Sequence, residues 1–139
     1  MKNIKKPIII SGIPRSGTTP LGKVLSSIEG FSMIYEPFNV NQGINDIDFN
    51  YPYPGKNISV KEFQSIFNNL VQFKSSFKKG YLKNDNFAKK IIKTIVGNES
   101  SISFLRAKKS SSNKQLLIKD PFLLFSSEEL SLNHKVIIC

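Results

Sequence analysis

Pro7 to Leu21 reads P-I-I-I-S-G-I-P-R-S-G-T-T-P-L. Ile8-Ile9-Ile10 is a short apolar run of strand character, and Ser11-Gly12 ends it. Gly12 and Gly17 frame four residues, Ile13-Pro14-Arg15-Ser16, and a helical pattern begins at Thr18. A strand, a glycine-bearing turn and a helix start form the setting of a phosphate-binding loop. Backbone N–H groups in such a turn converge, and the helix N-terminus adds partial positive charge. A nucleotide hydrolase would carry Lys after the second glycine, where this chain has Thr18. The loop's cation is instead Arg15, whose planar fork suits phosphate or sulfate oxygens. Thr18 and Thr19 add hydroxyl donors, so the turn suits a terminal anion without the full triphosphate apparatus.

Outward from the loop, Thr18 to Ile28 is predicted as the first helix, with Pro20 tolerated in its first turn. Leu21, Val24, Leu25 and Ile28 recur at helical spacing and are expected to face a sheet. Phe31 to Tyr35 follows as a second strand, ended by Glu36-Pro37. Asn39 to Gly55 is rich in Asn, Asp, Gly and Pro and reads as loop, either a substrate-contacting segment or a plain surface connection. Ser59 with Glu62 is a capping-box signal for a helix from Val60 to about Lys74. A further helix is predicted over Asp85 to Val96, stopped by Gly97. These two helices form an insertion at about 58–97.

Ser100 to Leu105 is ambiguous between strand and helix, and Arg106 to Lys114 reads as a mobile basic loop. Gln115 to Ile118 is a third strand leading into Lys119-Asp120-Pro121. Ser126 with Glu129 is expected to cap a short helix ending near Leu130. Lys135 to Cys139 is a fourth strand, and His134 before it is expected to be exposed. Strands alternating with helices predict an α/β fold with a parallel sheet flanked by helices, in three layers. Ligands of such sheets bind beyond the carboxyl ends of the strands. That rim would collect the anion loop, Glu36, Lys119 and Asp120.

The 139 residues suit one domain. No apolar run approaches the roughly 20 residues of a membrane span. The basic N-terminus precedes too short an apolar run for a secretory leader, so a cytoplasmic location is expected. One cysteine, Cys139, excludes an intrachain disulfide and a cysteine-rich metal site. The net charge of +10 raises nucleic acid as a partner. Much of the excess, however, lies in Lys/Asn/Ser-rich segments without aromatic interleaving, and nucleic-acid binding is not the expected role. A basic surface also attracts anionic donors and anionic sugars.

Three stretches in order, Pro14-Arg15-Ser16-Gly17-Thr18-Thr19 with Leu21, Tyr35-Glu36-Pro37-Phe38, and Ile118-Lys119-Asp120-Pro121-Phe122, resemble the sulfotransferase family. The likeness is to the branch acting on carbohydrates and protein tyrosine. It covers both ends of the chain and little of the middle. The resemblance implies a P-loop domain that binds 3′-phosphoadenosine 5′-phosphosulfate (PAPS). It implies that Arg15, Ser16, Gly17, Thr18 and Thr19 hold the 5′-phosphosulfate. Glu36 would be the general base, and Lys119, with Arg15, the cation that stabilises transferring charge. The implied reaction moves a sulfonate group to a hydroxyl of a carbohydrate-like acceptor and requires no metal.

Asp120 is expected to orient Lys119 or to cap backbone N–H groups. Relatives continue past the fourth strand with an Arg-bearing turn and a later Ser that bind the donor's 3′-phosphate. The expectation is therefore an N-terminal portion of the family's domain, completed by a partner chain or reduced in activity. Two other readings stand beside it. One is a P-loop nucleotide kinase with Asp120 as a Mg²⁺ ligand. The other is a non-catalytic remnant that keeps only the anion-binding loop.

Overall fold

The structure, a computed structural model, describes residues 6–78 and 97–139. The helix expected over Asp85 to Val96 lies outside the described residues. Among them the chain runs β1 (Ile8–Ser11), α1 (Thr18–Ser27), β2 (Phe31–Tyr35), α2 (Val60–Val71), α3 (Glu99–Ser110) and β3 (Gln115–Lys119). A 3₁₀ turn (Pro121–Ser126), α4 (Ser127–Ser131) and β4 (Lys135–Ile138) complete it. The four strands form one parallel sheet in the order β2-β3-β1-β4. The chain is thus of the α/β class.

Strand pleating sends alternate side chains to opposite faces. Ile9 pairs with Ile118, and Ile118 with Ile34, on one face. That face joins a core with Phe38, Phe63, Phe67, Leu70, Phe104 and Ala107 from the loops and from α2 and α3. The opposite face carries Ile10, Met33, Tyr35, Leu117 and Lys119, matched in register. Here α1 lies close, because Gly22 has no side chain to hold it off. A Cβ on Gly22 would stand 2.9 Å from Met33 Sδ and 3.2 Å from Lys119 Cγ.

The stripe expected on α1 is corrected by this packing. Its buried residues are Thr18 and Gly22, while Val24 and Ile28 are 62% and 49% exposed. The helix approaches the sheet through its smallest residue rather than its branched ones. On α2, by contrast, the buried face is made of the large residues Phe63, Ile66, Phe67 and Leu70, which recur at helical spacing. Each such side chain contributes about 1.5–3 kcal/mol by leaving water. The Ser59 hydroxyl accepts the Glu62 N–H and starts α2, which stops at Val71, short of Lys74.

Ser100 to Leu105 is helix, and α3 runs on through Arg106 to Ser110, so the expected basic loop shrinks to the few residues before β3. Asn98 and Ser101 form a reciprocal capping box, and Lys108 and Lys109 sit in the last turn, where the helix dipole favours cations. Ser126 does not cap α4 through its side chain. Its hydroxyl donates to the Pro52 carbonyl and pins the long loop after β2. That loop is no plain surface connection. Phe38, Ile44 and Ile47 are fully buried, and the Lys78 ammonium donates to the carbonyls of Val40 and Ile47. His134, expected outside, is half-buried with its ring 5.2 Å from Phe67. No helix among the described residues is long and apolar enough to cross a membrane.

Candidate functional site

The carboxyl ends of β1, β2 and β3 meet on one rim. Ile10 and Tyr35 are both in register with Lys119, which sets the heights of the three strand ends. Backbone bonds fasten them further: Glu36 N–H donates to Lys119 O at 2.8 Å, and Asp120 N–H to Ile10 O at 2.9 Å. Ser11 Oγ donates to Asp120 O at 2.8 Å.

Glu36 and Lys119, far apart in sequence, form an ion pair with Nζ 2.6 Å from Oε1. It is the one ion pair among the described residues. The Lys119 side chain is 2% exposed and that of Glu36 14%, so the carboxylate keeps a wet side. The other carboxylate oxygen, Oε2, accepts only the Asn39 amide, at 3.2 Å. The Lys119 ammonium also lies 4.5 Å from the centre of the Tyr35 ring, within range of a cation–π attraction. Burial pushes the Tyr35 phenol above its usual value, and Glu36 adds to this, with Lys119 and the Thr19 hydroxyl pulling the other way. Glu36 itself sits at φ 42, a left-handed conformation that costs a non-glycine residue about 1–2 kcal/mol. Such strain is held only where surrounding bonds fix it, as the Lys119 carbonyl and the Ser100 hydroxyl do here.

Asp120 is fully buried, and its two carboxylate oxygens accept the N–H groups of Phe38 at 2.6 Å and Phe122 at 2.9 Å. Burial raises its carboxyl to about 7, against those two bonds, which lower it. Asp120 therefore caps backbone groups, one of the two roles expected for it. It offers a metal ion no exposed oxygen.

The loop after β1 turns through a Ser16 N–H to Ile13 O bond of 3.0 Å, with Arg15 at φ 72 and Gly17 at φ 94. Gly12 is needed for close approach: a Cβ there would lie 2.5 Å from the Cys139 carbonyl and 2.7 Å from Ser16 Oγ. Arg15 and Ser16 are exposed, Thr19 is half-buried, and Thr18 is buried at the helix start. α1 starts from Gly17 with no side-chain cap and no acid in its first turn, whereas α2 and α3 both have a capping side chain. Its leading N–H groups thus have no capping side chain as acceptor. No hydrogen bond or ion pair joins Arg15 to the Glu36–Lys119 pair, so the loop and the pair are two parts of one rim.

Tyr35, Asn39 and Gly22 also shape the site, and sequence reasoning gave them no such role. A tyrosine and an asparagine flanking Glu36 carry no spacing signal, and a lone helical glycine signals close packing only weakly. The fold and rim define a parallel α/β protein with a glycine-bearing turn and a buried lysine–glutamate pair at its strand ends. No family model, curated protein or solved structure matches the chain.

Proposed function

We propose that the chain is a P-loop sulfotransferase domain that uses PAPS to sulfate a hydroxyl of a carbohydrate-like acceptor. The observation that carries the proposal is the Glu36–Lys119 pair at the ends of adjacent strands, on the rim that holds the Arg15 turn. Sulfuryl transfer needs a base beside the acceptor and cations beside the moving charge, and that rim has both. Arg15, Ser16, Gly17, Thr18 and Thr19 would hold the 5′-phosphosulfate. The uncapped start of α1 fits an anion there, and the open space in front of Gly17, where an added Cβ meets nothing within 4 Å, leaves room for it.

Glu36 would take the acceptor's proton on Oε2, the oxygen that Asn39 holds only loosely. Lys119, positioned by Glu36 and Tyr35, would bear on the transferring sulfonate with Arg15. The acceptor oxygen gains the sulfur as the bond to the phosphate leaving group breaks. The kinase alternative is weakened by Asp120, whose oxygens are buried on backbone N–H groups instead of facing a metal. The proposal includes a cytoplasmic setting, which suits a chain with a single thiol.

Calorimetric titration with adenosine 3′,5′-bisphosphate, without metal, tests the reading. Binding that disappears in Arg15→Ala is expected. Binding of ATP–Mg²⁺ alone would favour the kinase. A folded chain that binds neither would refute the proposal and the anion-binding remnant alike.

A further inference from the structure

β2 is an edge strand, and its outer side opens on a cleft of about 650 Å³ between α1 and α3. Parallel pairing uses alternate residues: Gly30 O accepts Gln115 N–H and Glu36 N–H donates to Lys119 O, so even-numbered residues face β3. Phe31, Met33 and Tyr35 therefore turn their backbone groups outward. Two of the outward N–H groups are taken. Phe31 N–H donates to Ile28 O, and Tyr35 N–H to Ser103 Oγ. Met33 N–H and the carbonyls of Phe31 and Met33 have no partner among the described residues.

On the α3 side the same cleft is lined by Glu99 near Tyr35, then by Ile102 and Ala107, and at the far end Arg106 and Lys114 bring two cations. Neither cation is in an ion pair among the described residues. Ser32 also lines it, and its hydroxyl is buried with no partner. An exposed strand edge is a template for another strand. Natural proteins block such edges with charge or cover, yet among the described residues no backbone or side chain pairs with the middle of this one.

We infer that the outer edge of β2 is a docking groove for an extended acidic peptide, which adds as a further strand beside Met33. Backbone bonds to Met33 and Phe31 supply affinity. Arg106 and Lys114 select the acidic side chains that point toward α3, and the alternate residues point toward α1. The seven-residue step from Glu99 to Arg106 along α3 is about 10 Å, the span of roughly three extended residues. The acid that meets Arg106 thus lies about three residues from the end of the peptide nearest Tyr35. This surface adjoins the rim at Tyr35 but does not rest on the sulfotransferase reading.

The test is fluorescence polarisation of the whole chain with a labelled, capped Glu-Val-Asp-Val-Glu-Val peptide. Two copies N-methylated at alternate residues, one in each phase, serve as backbone probes. Saturable binding is expected. One N-methylated copy should bind at least tenfold more weakly and the other nearly unchanged, because a strand bonds along one side only. The double variant Arg106→Glu with Lys114→Glu, both exposed positions, should weaken binding at least tenfold while circular dichroism stays that of the native chain. No binding, or equal binding of both N-methylated copies, overturns the proposal. So does equal competition by free glutarate, which would make the cleft a small-anion site.

Discussion

Replacing Glu36 by Gln strands the Lys119 ammonium. That group is 2% exposed and has two attractive neighbours, a carboxylate oxygen at 2.6 Å and the Tyr35 ring at 4.5 Å. At 2.6 Å and an effective dielectric of about 20, the gross attraction of the pair is about 6 kcal/mol. Desolvation of both groups offsets most of it. Removing one partner of a buried pair nevertheless costs roughly 3–5 kcal/mol, because the other charge stays behind. Glu36 keeps a wet side, and the Gln carbonyl still accepts one bond, so the expected loss for Glu36→Gln is about 2–3 kcal/mol. Lys119→Met leaves Glu36 at the wet rim beside Asn39 and should cost about 1–2 kcal/mol. The double variant should then cost less than the sum, by a coupling of about 2 kcal/mol. Urea unfolding of the four proteins, followed by circular dichroism in one buffer, measures it. A coupling below about 0.5 kcal/mol would refute the reasoning, since it would mean that the pair is solvated and worth no more than a surface contact.

Three further outcomes are expected. Gly22→Val should lower stability by about 2–3 kcal/mol, since its side chain enters the space of Met33 and Lys119; an unchanged thermal midpoint would mean that α1 packs more loosely. Asp120, with a folded-state value of about 7 against an ordinary 3.8, contributes stability that is full below about pH 4 and is lost as pH rises to about 7, on the order of 4 kcal/mol in all. Asp120→Asn should remove that falling slope between about pH 4 and 7, whatever its baseline cost, and an unchanged slope would place the titration elsewhere. His134 runs the other way. Burial, and Lys6 after it, hold its value below 6.5, so its contribution is lost as pH falls below that point. His134→Phe should keep the contact with Phe67 and lose this acid-side sensitivity, read from unfolding midpoints at pH 5 and 7.

The strands and the rim were legible because their signals are local. Ile8 to Gly17 carries an apolar run and two glycines at fixed spacing, and Glu36-Pro37 and Asp120-Pro121 mark strand ends by breaking them. Parallel topology then placed Glu36 and Lys119 on one side. The α1 stripe misled because apolar periodicity says which residues share a face, and not whether a glycine opposite lets the helix sit closer. α3 was hidden by composition. It buries only Ser100, Phe104 and Ala107, too few to make a stripe amid Ser and Lys, and its clear start signal is the Asn98–Ser101 box. The burial of Ile44 and Ile47 was masked by the polar residues around them. Neither the Met33 edge nor the cleft beside it has any one-dimensional signature, since both arise from the strand order.

That order has a kinetic side. β1 and β2 come first in the chain, yet neither touches the other in the sheet; β3 lies between them and supplies every ladder of β2. As the chain emerges during synthesis, β1 and β2 have no partner strand among the described residues until Gln115 to Lys119 appear. Pairing β3 with β2 and β1 closes loops of about 80 to 110 residues, which makes folding slow relative to a helical protein of the same length. The apolar β1 run and the edge of β2 stay exposed over that interval, when collision with other chains competes with folding. Insertion of one late strand thus decides yield as well as architecture, and a substitution that weakens β3 should show first as aggregation during expression rather than as a lower melting point.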